Sequence, residues 1–151
     1  MNPIQEAISG KESLGILSSP YQALVQFYCA FNSGNIQMMS DNWAQSDATA
    51  MRNPLGGIKR GWAEIRSVYE RVFTGPAEVR GEYFDYTIHE TREMFYTVGR
   101  ERGYCRLEDE KIALAIRTSR IFKKSVIAGN KSSTMAQSMT PCYCPSINPL
   151  F

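Results

Sequence analysis

Arg117 and Arg120 stand three residues apart in Ile112–Phe122, a run that alternates apolar and polar side chains. Alternation predicts a strand. An odd spacing on a strand sends the two guanidiniums to opposite faces. With Ile116, Thr118, Arg120 and Phe122 sharing one side, one arginine enters the interior and the other meets water or a second subunit. The spacing leaves open which does which. A buried arginine requires a carboxylate or an anionic ligand. Glu101, in the neighbouring alternating run, is the natural partner. Such a pair either ties the sheet together or belongs to an active site, and the pattern accommodates both.

Other side chains offer less. His89, the single histidine, has the right chemistry for acid–base work. It lies at a strand end beside Glu90 and a turn, where a solvated imidazole is the simpler reading; Asp85, on the same face, is placed to orient it. Trp43, Trp62, Tyr69, Phe73 and Tyr96 fall on core-facing patterns and serve either as core or as the wall of an apolar pocket. Asn53 ends a short strand before Pro54-Leu55-Gly56-Gly57, where it caps a turn or bonds a ligand carbonyl. No Gly-rich phosphate loop, Ser-His-Asp set or metal-ligand cluster is present. Cys142 and Cys144 have one residue between them, unlike zinc or redox pairs. Cys29 and Cys105 sit in apolar patterns and read as buried thiols, with a reducing cytoplasm as the expected compartment.

Composition excludes further classes. The net charge is +2, and no basic run is longer than Lys123-Lys124, which argues against nucleic acid as a partner. No apolar run approaches the roughly 18 residues of a membrane span. Met1 to Ser19 lacks the basic start and apolar centre of a signal peptide. A length of 151 residues fits one domain.

The elements that must position these residues follow from periodicity. Residues 1–17 form a weakly patterned arm. Ser18-Ser19-Pro20 starts a helix, with Tyr21, Leu24, Val25, Tyr28 and Phe31 on one face, and Asn32-Ser33-Gly34 ends it. A short helix directs Ile36, Met39 and Trp43 inward. Asp47–Asn53 reads as a short strand and Gly61–Phe73 as a third helix. The period then changes to two over Val79–Glu90, Met94–Leu107 and Ile112–Phe122, joined by short turns that imply antiparallel neighbours. Helices first and a meander after predict an α+β domain, with Gly81, Gly99 and Gly103 permitting the sheet to bend around the helices. Long strands would leave residues such as Tyr83, Tyr104 and Arg117 on a face the helices do not cover, so a homodimer is expected.

This order, together with Leu24–Asn35, Asn53-Pro54-Leu55-Gly56-Gly57, Gly61-Trp62, Gly99-Arg100-Glu101-Arg102-Gly103 and Ile116–Phe122, resembles the nuclear transport factor 2 superfamily, and within it the SnoaL-like and ketosteroid-isomerase-like proteins. The resemblance spans about Pro20 to Lys124. It implies a cone-like α+β barrel, a deep apolar cavity and frequent dimers. Its members include isomerases, cyclases, hydrolases, dehydratases and non-catalytic association domains, so the fold alone does not name a function. The family pattern favours Arg120 as the inward arginine. It points to cofactor-independent acid–base chemistry on an apolar small molecule, with Glu101 as acid–base group, Arg120 as its tuner and Tyr96 as hydrogen-bond donor. The catalytic residues of ketosteroid isomerase have no one-for-one match here. The second reading is a non-catalytic ligand-binding or association module.

Residues 1–124 thus form one domain, and residues 125–151 an atypical tail with three prolines. Such families close the sheet with a strand reading roughly Gly-x-Trp-x-x-Val-x-His-His-x-Ser, which this chain lacks. Synonymous codons can be chosen for Val126–Met139 that, read one base earlier, encode Asp-Arg-Trp-Gln-Gln-Val-Gln-His-His-Gly-Ser-Ile-Asp. The tail is therefore expected to be out of frame, with slippage at the A-rich codons of Lys123 and Lys124. At most a short piece, about residues 131–136, is expected to pair with the edge of the last strand.

Overall fold

The computed structural model describes residues 1–15, 19–53 and 56–124. The expectations for the tail, for Ser18 and for Pro54-Leu55 fall outside the described residues.

Helix α1 spans Pro20–Ser33. The Ser19 hydroxyl accepts from the Gln22 N–H at 3.2 Å, and Gly34, at φ 64°, closes the helix in the left-handed conformation. Its buried surface is broader than the expected stripe. Leu24, Val25, Phe27 and Tyr28 are all buried, whereas Tyr21 is 37% exposed. The breadth arises because α1 is covered on several sides: Asn42 of α2 (Ile36–Asn42) bonds both the Ala23 carbonyl and Gln26. A hairpin of β1 (Ala50–Arg52) and β2 (Ile58–Arg60) follows. The second strand of that hairpin falls between the expected Pro54–Gly57 turn and the expected helix start at Gly61, where the sequence pattern predicted no element. Helix α3 (Gly61–Thr74) buries Trp62, Ile65, Val68 and Tyr69.

The main sheet comprises β3 (Glu78–Glu90), β4 (Met94–Leu107) and β5 (Glu110–Lys123), antiparallel in that order. Three helices on one face of a curved antiparallel sheet that does not close among the described residues make the expected α+β cone. A bulge between Phe84 and Thr87 inserts one extra residue into β3, with Asp85 at φ 49°. The extra residue lets Tyr83 and Tyr86 both point inward, where both are buried. Tyr83, expected on the outer face, is thus turned to the interior; Tyr104 and Arg117 do lie on the outer side. The same bulge undoes the expected Asp85–His89 pairing. Asp85 meets Arg100 at 2.9 Å and Gln5 at 2.7 Å, while His89 bonds the Thr87 hydroxyl and stacks on Tyr96.

The N-terminal arm has a role its pattern did not disclose. Ile4 and Ile8 form antiparallel bridges to Tyr86 and Tyr83, covering the free edge of β3. Ile8 is fully buried. Gly10 lets the arm turn onto α1, because its φ is 83° and a Cβ there would lie 2.3 Å from the Cys29 nitrogen.

Candidate functional site

An apolar cavity of about 140 Å³ lies between α1, α3 and the sheet. That is the volume that admits a benzene-sized molecule. Phe27, Phe31, Met51, Val68, Val79 and Ile116 supply much of its wall.

Its ion pair comes from two adjacent strands: Glu101 stands opposite Ile116 and Arg120 opposite Thr97, so the two long side chains meet diagonally. Glu101 on β4 and Arg120 on β5 both belong to the lining, as does Tyr28 on α1. The Tyr28 hydroxyl donates to Glu101 Oε1 and accepts from Arg120 Nη2 at 2.9 Å; Arg120 Nη2 also pairs with Glu101 Oε1. The Arg120 side chain is wholly buried, with its guanidinium carbon 3.8 Å from the centre of the Phe27 ring. Arg120 is the inward arginine, as the family pattern favoured.

The electrostatics are those of a closed cluster. Burial pushes the Tyr28 hydroxyl well above its usual range, and Glu101 adds to the rise while Arg120 opposes it. Burial would lower Arg120, but Tyr28 and Glu101 more than offset it and hold the guanidinium charged. Tyr69 is also pushed up, chiefly by burial. Its hydroxyl and the Trp43 indole N–H approach each other without regular hydrogen-bond geometry, and each lacks a full partner. Tyr83 is pushed up to about 12 by burial and bonds Thr97 at 2.9 Å. Glu101 Oε2, in contrast to Oε1, accepts no hydrogen bond among the described residues, and the Glu101 side chain keeps 15% exposure.

The structure brings together only some of the residues singled out from sequence. Glu101, Arg120, Asn53 and Tyr69 line the cavity. Tyr96 does not: it stands opposite His89 and Ile121 on the outer face, 39% exposed. Its parity on β4 is opposite to that of Glu101, an odd spacing that excludes a shared face. Arg117 is likewise on the outer side, level with Arg100. Trp43 packs on Trp62 and Tyr69, Phe73 packs on Tyr69 and Phe31, and none of Trp43, Trp62 and Phe73 lines the cavity. Tyr28 was missed as a polar site residue, having been read as part of the helix stripe. A tyrosine inside an apolar stripe requires a partner for its hydroxyl, and that was the available signal. Cys105, read as a core thiol, lines the cavity with its pKa raised by burial. Among the described residues no three metal-ligating side chains cluster, and no helix is long and apolar enough to cross a membrane.

No protein-family model matches the chain, and no curated protein sequence matches it significantly. Solved structures do. A nuclear transport factor 2-like superfamily protein from Salmonella enterica serovar Typhimurium superposes with a TM-score of 0.69 at 12% identity, over 86% of this chain and 93% of that one. A candidate dehydratase of the same family from Streptomyces avermitilis gives 0.67 at 13% identity, over 81% and 92%. The CaMKII hub of S. rosetta gives 0.67 at 10% identity, over 87% and 100%. At such identities the likeness is one of fold.

Proposed function

We propose that this chain, which has the nuclear transport factor 2-like fold, binds a small apolar molecule in the cavity beside Glu101 and acts on it by cofactor-independent acid–base chemistry of the isomerase, cyclase or hydrolase kind. The observation that carries this reading is the conjunction of a benzene-sized apolar cavity with one carboxylate oxygen, Glu101 Oε2, that accepts no hydrogen bond among the described residues. Oε1 is committed to Tyr28 and Arg120, which fix the carboxylate's orientation. Oε2 is then the atom placed to take a proton from a bound ligand and return it. Asn53 and Tyr69 are among the further polar residues of the wall, and the candidate dehydratase from Streptomyces avermitilis, which shares this fold, favours the enzymatic reading. Cys29 and Cys105 are both free thiols, in keeping with a cytoplasmic setting.

Titration calorimetry with toluene tests the binding. Dissociation in the micromolar to millimolar range is expected, about −4 to −8 kcal/mol. Hydrogen–deuterium exchange at a weakly acidic carbon of a bound cyclic ketone tests the chemistry, and should disappear in Glu101→Gln. Absence of toluene binding overturns the reading; binding with exchange equal in both proteins leaves the second reading, a non-catalytic binding or association module. That alternative draws on the outer face, where Tyr96, Val98 and Ile121 are exposed as neighbours in register and where a homodimer contact would fit, and on the hub structure that shares the fold.

We also propose that residues 125–151 are translated out of frame from a closing strand. The basis is the shifted reading of Val126–Met139, with its Trp, Val and two His. Sequencing the coding DNA across and beyond the Lys123–Lys124 codons decides it. The expected result is an A-rich tract followed by codons that spell the closing strand in the shifted frame. Synonymous codons that destroy that reading would falsify the idea.

A further inference from the structure

A second, open groove lies against the apolar cavity. The two share Arg80, Gly81, Arg102 and Leu114 in their linings. At this point Gly81 of β3 pairs with Gly103 of β4, so neither strand carries a side chain. The two glycines have different reasons to be there. A Cβ on Gly103 would sit 2.0 Å from the Arg80 carbonyl oxygen, so close backbone approach requires glycine. On Gly81 a Cβ would meet nothing nearer than Phe31 Cε1 at 3.8 Å, and the residue is not among those with positive φ. The backbone therefore accepts a side chain at 81, and a strand interior favours one. Any such side chain would stand toward Phe31, in the cavity wall.

The groove is cationic. Lys11, Arg80, Arg102 and Lys111 line it against Glu82 alone. Arg102 is paired with Glu82 and Arg80 with Glu78. Lys111 lies 4.2 Å from the centre of the Tyr104 ring, and neither it nor Lys11 has a carboxylate partner among the described residues.

We propose that Gly81 keeps open a passage between cavity and groove, and that the site takes an apolar carboxylate with its hydrocarbon ring in the cavity and its anionic end in the groove. This rests on the reading of the cavity as a ligand site. Because the Arg120 charge is already met by Glu101, the anion is held at the outer lysines and not at the inner arginine.

Calorimetry on the full chain, with toluene, phenylacetate, 3-phenylpropionate and 4-phenylbutyrate at low salt, tests this. At least one acid should bind about tenfold more tightly than toluene. That advantage should vanish near 1 M salt, where screening acts within about 3 Å, and in the Lys11→Ala/Lys111→Ala double variant, with toluene affinity unchanged. Gly81→Val should bind that acid about tenfold or more weakly while melting no lower than the wild type. Acids no tighter than toluene, or wild-type acid affinity in Gly81→Val or in the double lysine variant, would overturn the proposal. Failure of toluene and of every acid would instead overturn the cavity reading beneath it.

Discussion

Arg120→Ala is expected to lower the stability of the fold by about 3–5 kcal/mol, the cost of leaving one partner of a buried ion pair alone. The Arg120 side chain is completely buried and the Glu101 side chain nearly so, and they share an oxygen with Tyr28. Alanine removes the cation that pairs with that carboxylate among the described residues, and with it the guanidinium that lies over Phe27. Glu101 must then remain charged in an apolar wall or take up a proton. Arg117→Ala, on the outer face of the same strand, should cost under about 1 kcal/mol. Urea denaturation of the two variants gives the comparison. The double variant Arg120→Met/Glu101→Met should recover much of the loss, because replacing both charges by apolar side chains removes the desolvation penalty along with the pair. Equal midpoints for the two single alanine variants would show that the pair contributes nothing to the fold.

Trp43→Ala should be comparably damaging, at about 3–5 kcal/mol, by cavity formation. Trp43 is fully buried, stacks on Trp62 with ring centres 6.3 Å apart and lies 6.0 Å from Tyr69. It joins α2 to α3, and no smaller side chain fills that space. Because it stands behind the cavity and not in its wall, its effect should be on stability alone. Trp43→Phe keeps much of the volume; it should lower the melting temperature and leave toluene affinity unchanged. A Trp43→Phe protein that is as stable as the wild type but no longer binds toluene would restore Trp43 to the wall.

These two variants mark where the sequence was legible. Each long element announced its period: Ser19 and Gly34 bounded α1, and the change to alternation near Val79 marked the meander. Alternation also put Arg117 and Arg120 on opposite faces, since side-chain direction on a strand is local. It identified Glu101 as the partner of whichever arginine turned inward. The same parity rule, applied to β4, would have excluded Tyr96 from the cavity, five positions from Glu101.

Only the tertiary structure could decide the rest. An aromatic side chain on an inward pattern becomes core or pocket wall according to what stands opposite it, and the packing of α2 on α3 assigned Trp43 and Trp62 to the core. Tyr28 entered the polar cluster because the β4–β5 register carries Glu101 and Arg120 to the level of α1, a contact between residues 73 and 92 positions apart. The β3 bulge turned Tyr86 inward and separated Asp85 from His89, and one inserted residue leaves no mark on an alternating sequence. The N-terminal arm has too few apolar residues to predict a strand, yet it pairs because β3 offers it an edge. Gly81 and Gly103 are the same letter in the sequence. One is fixed by the close approach of a neighbouring backbone and the other is not, a difference that arises only when the strands are brought side by side.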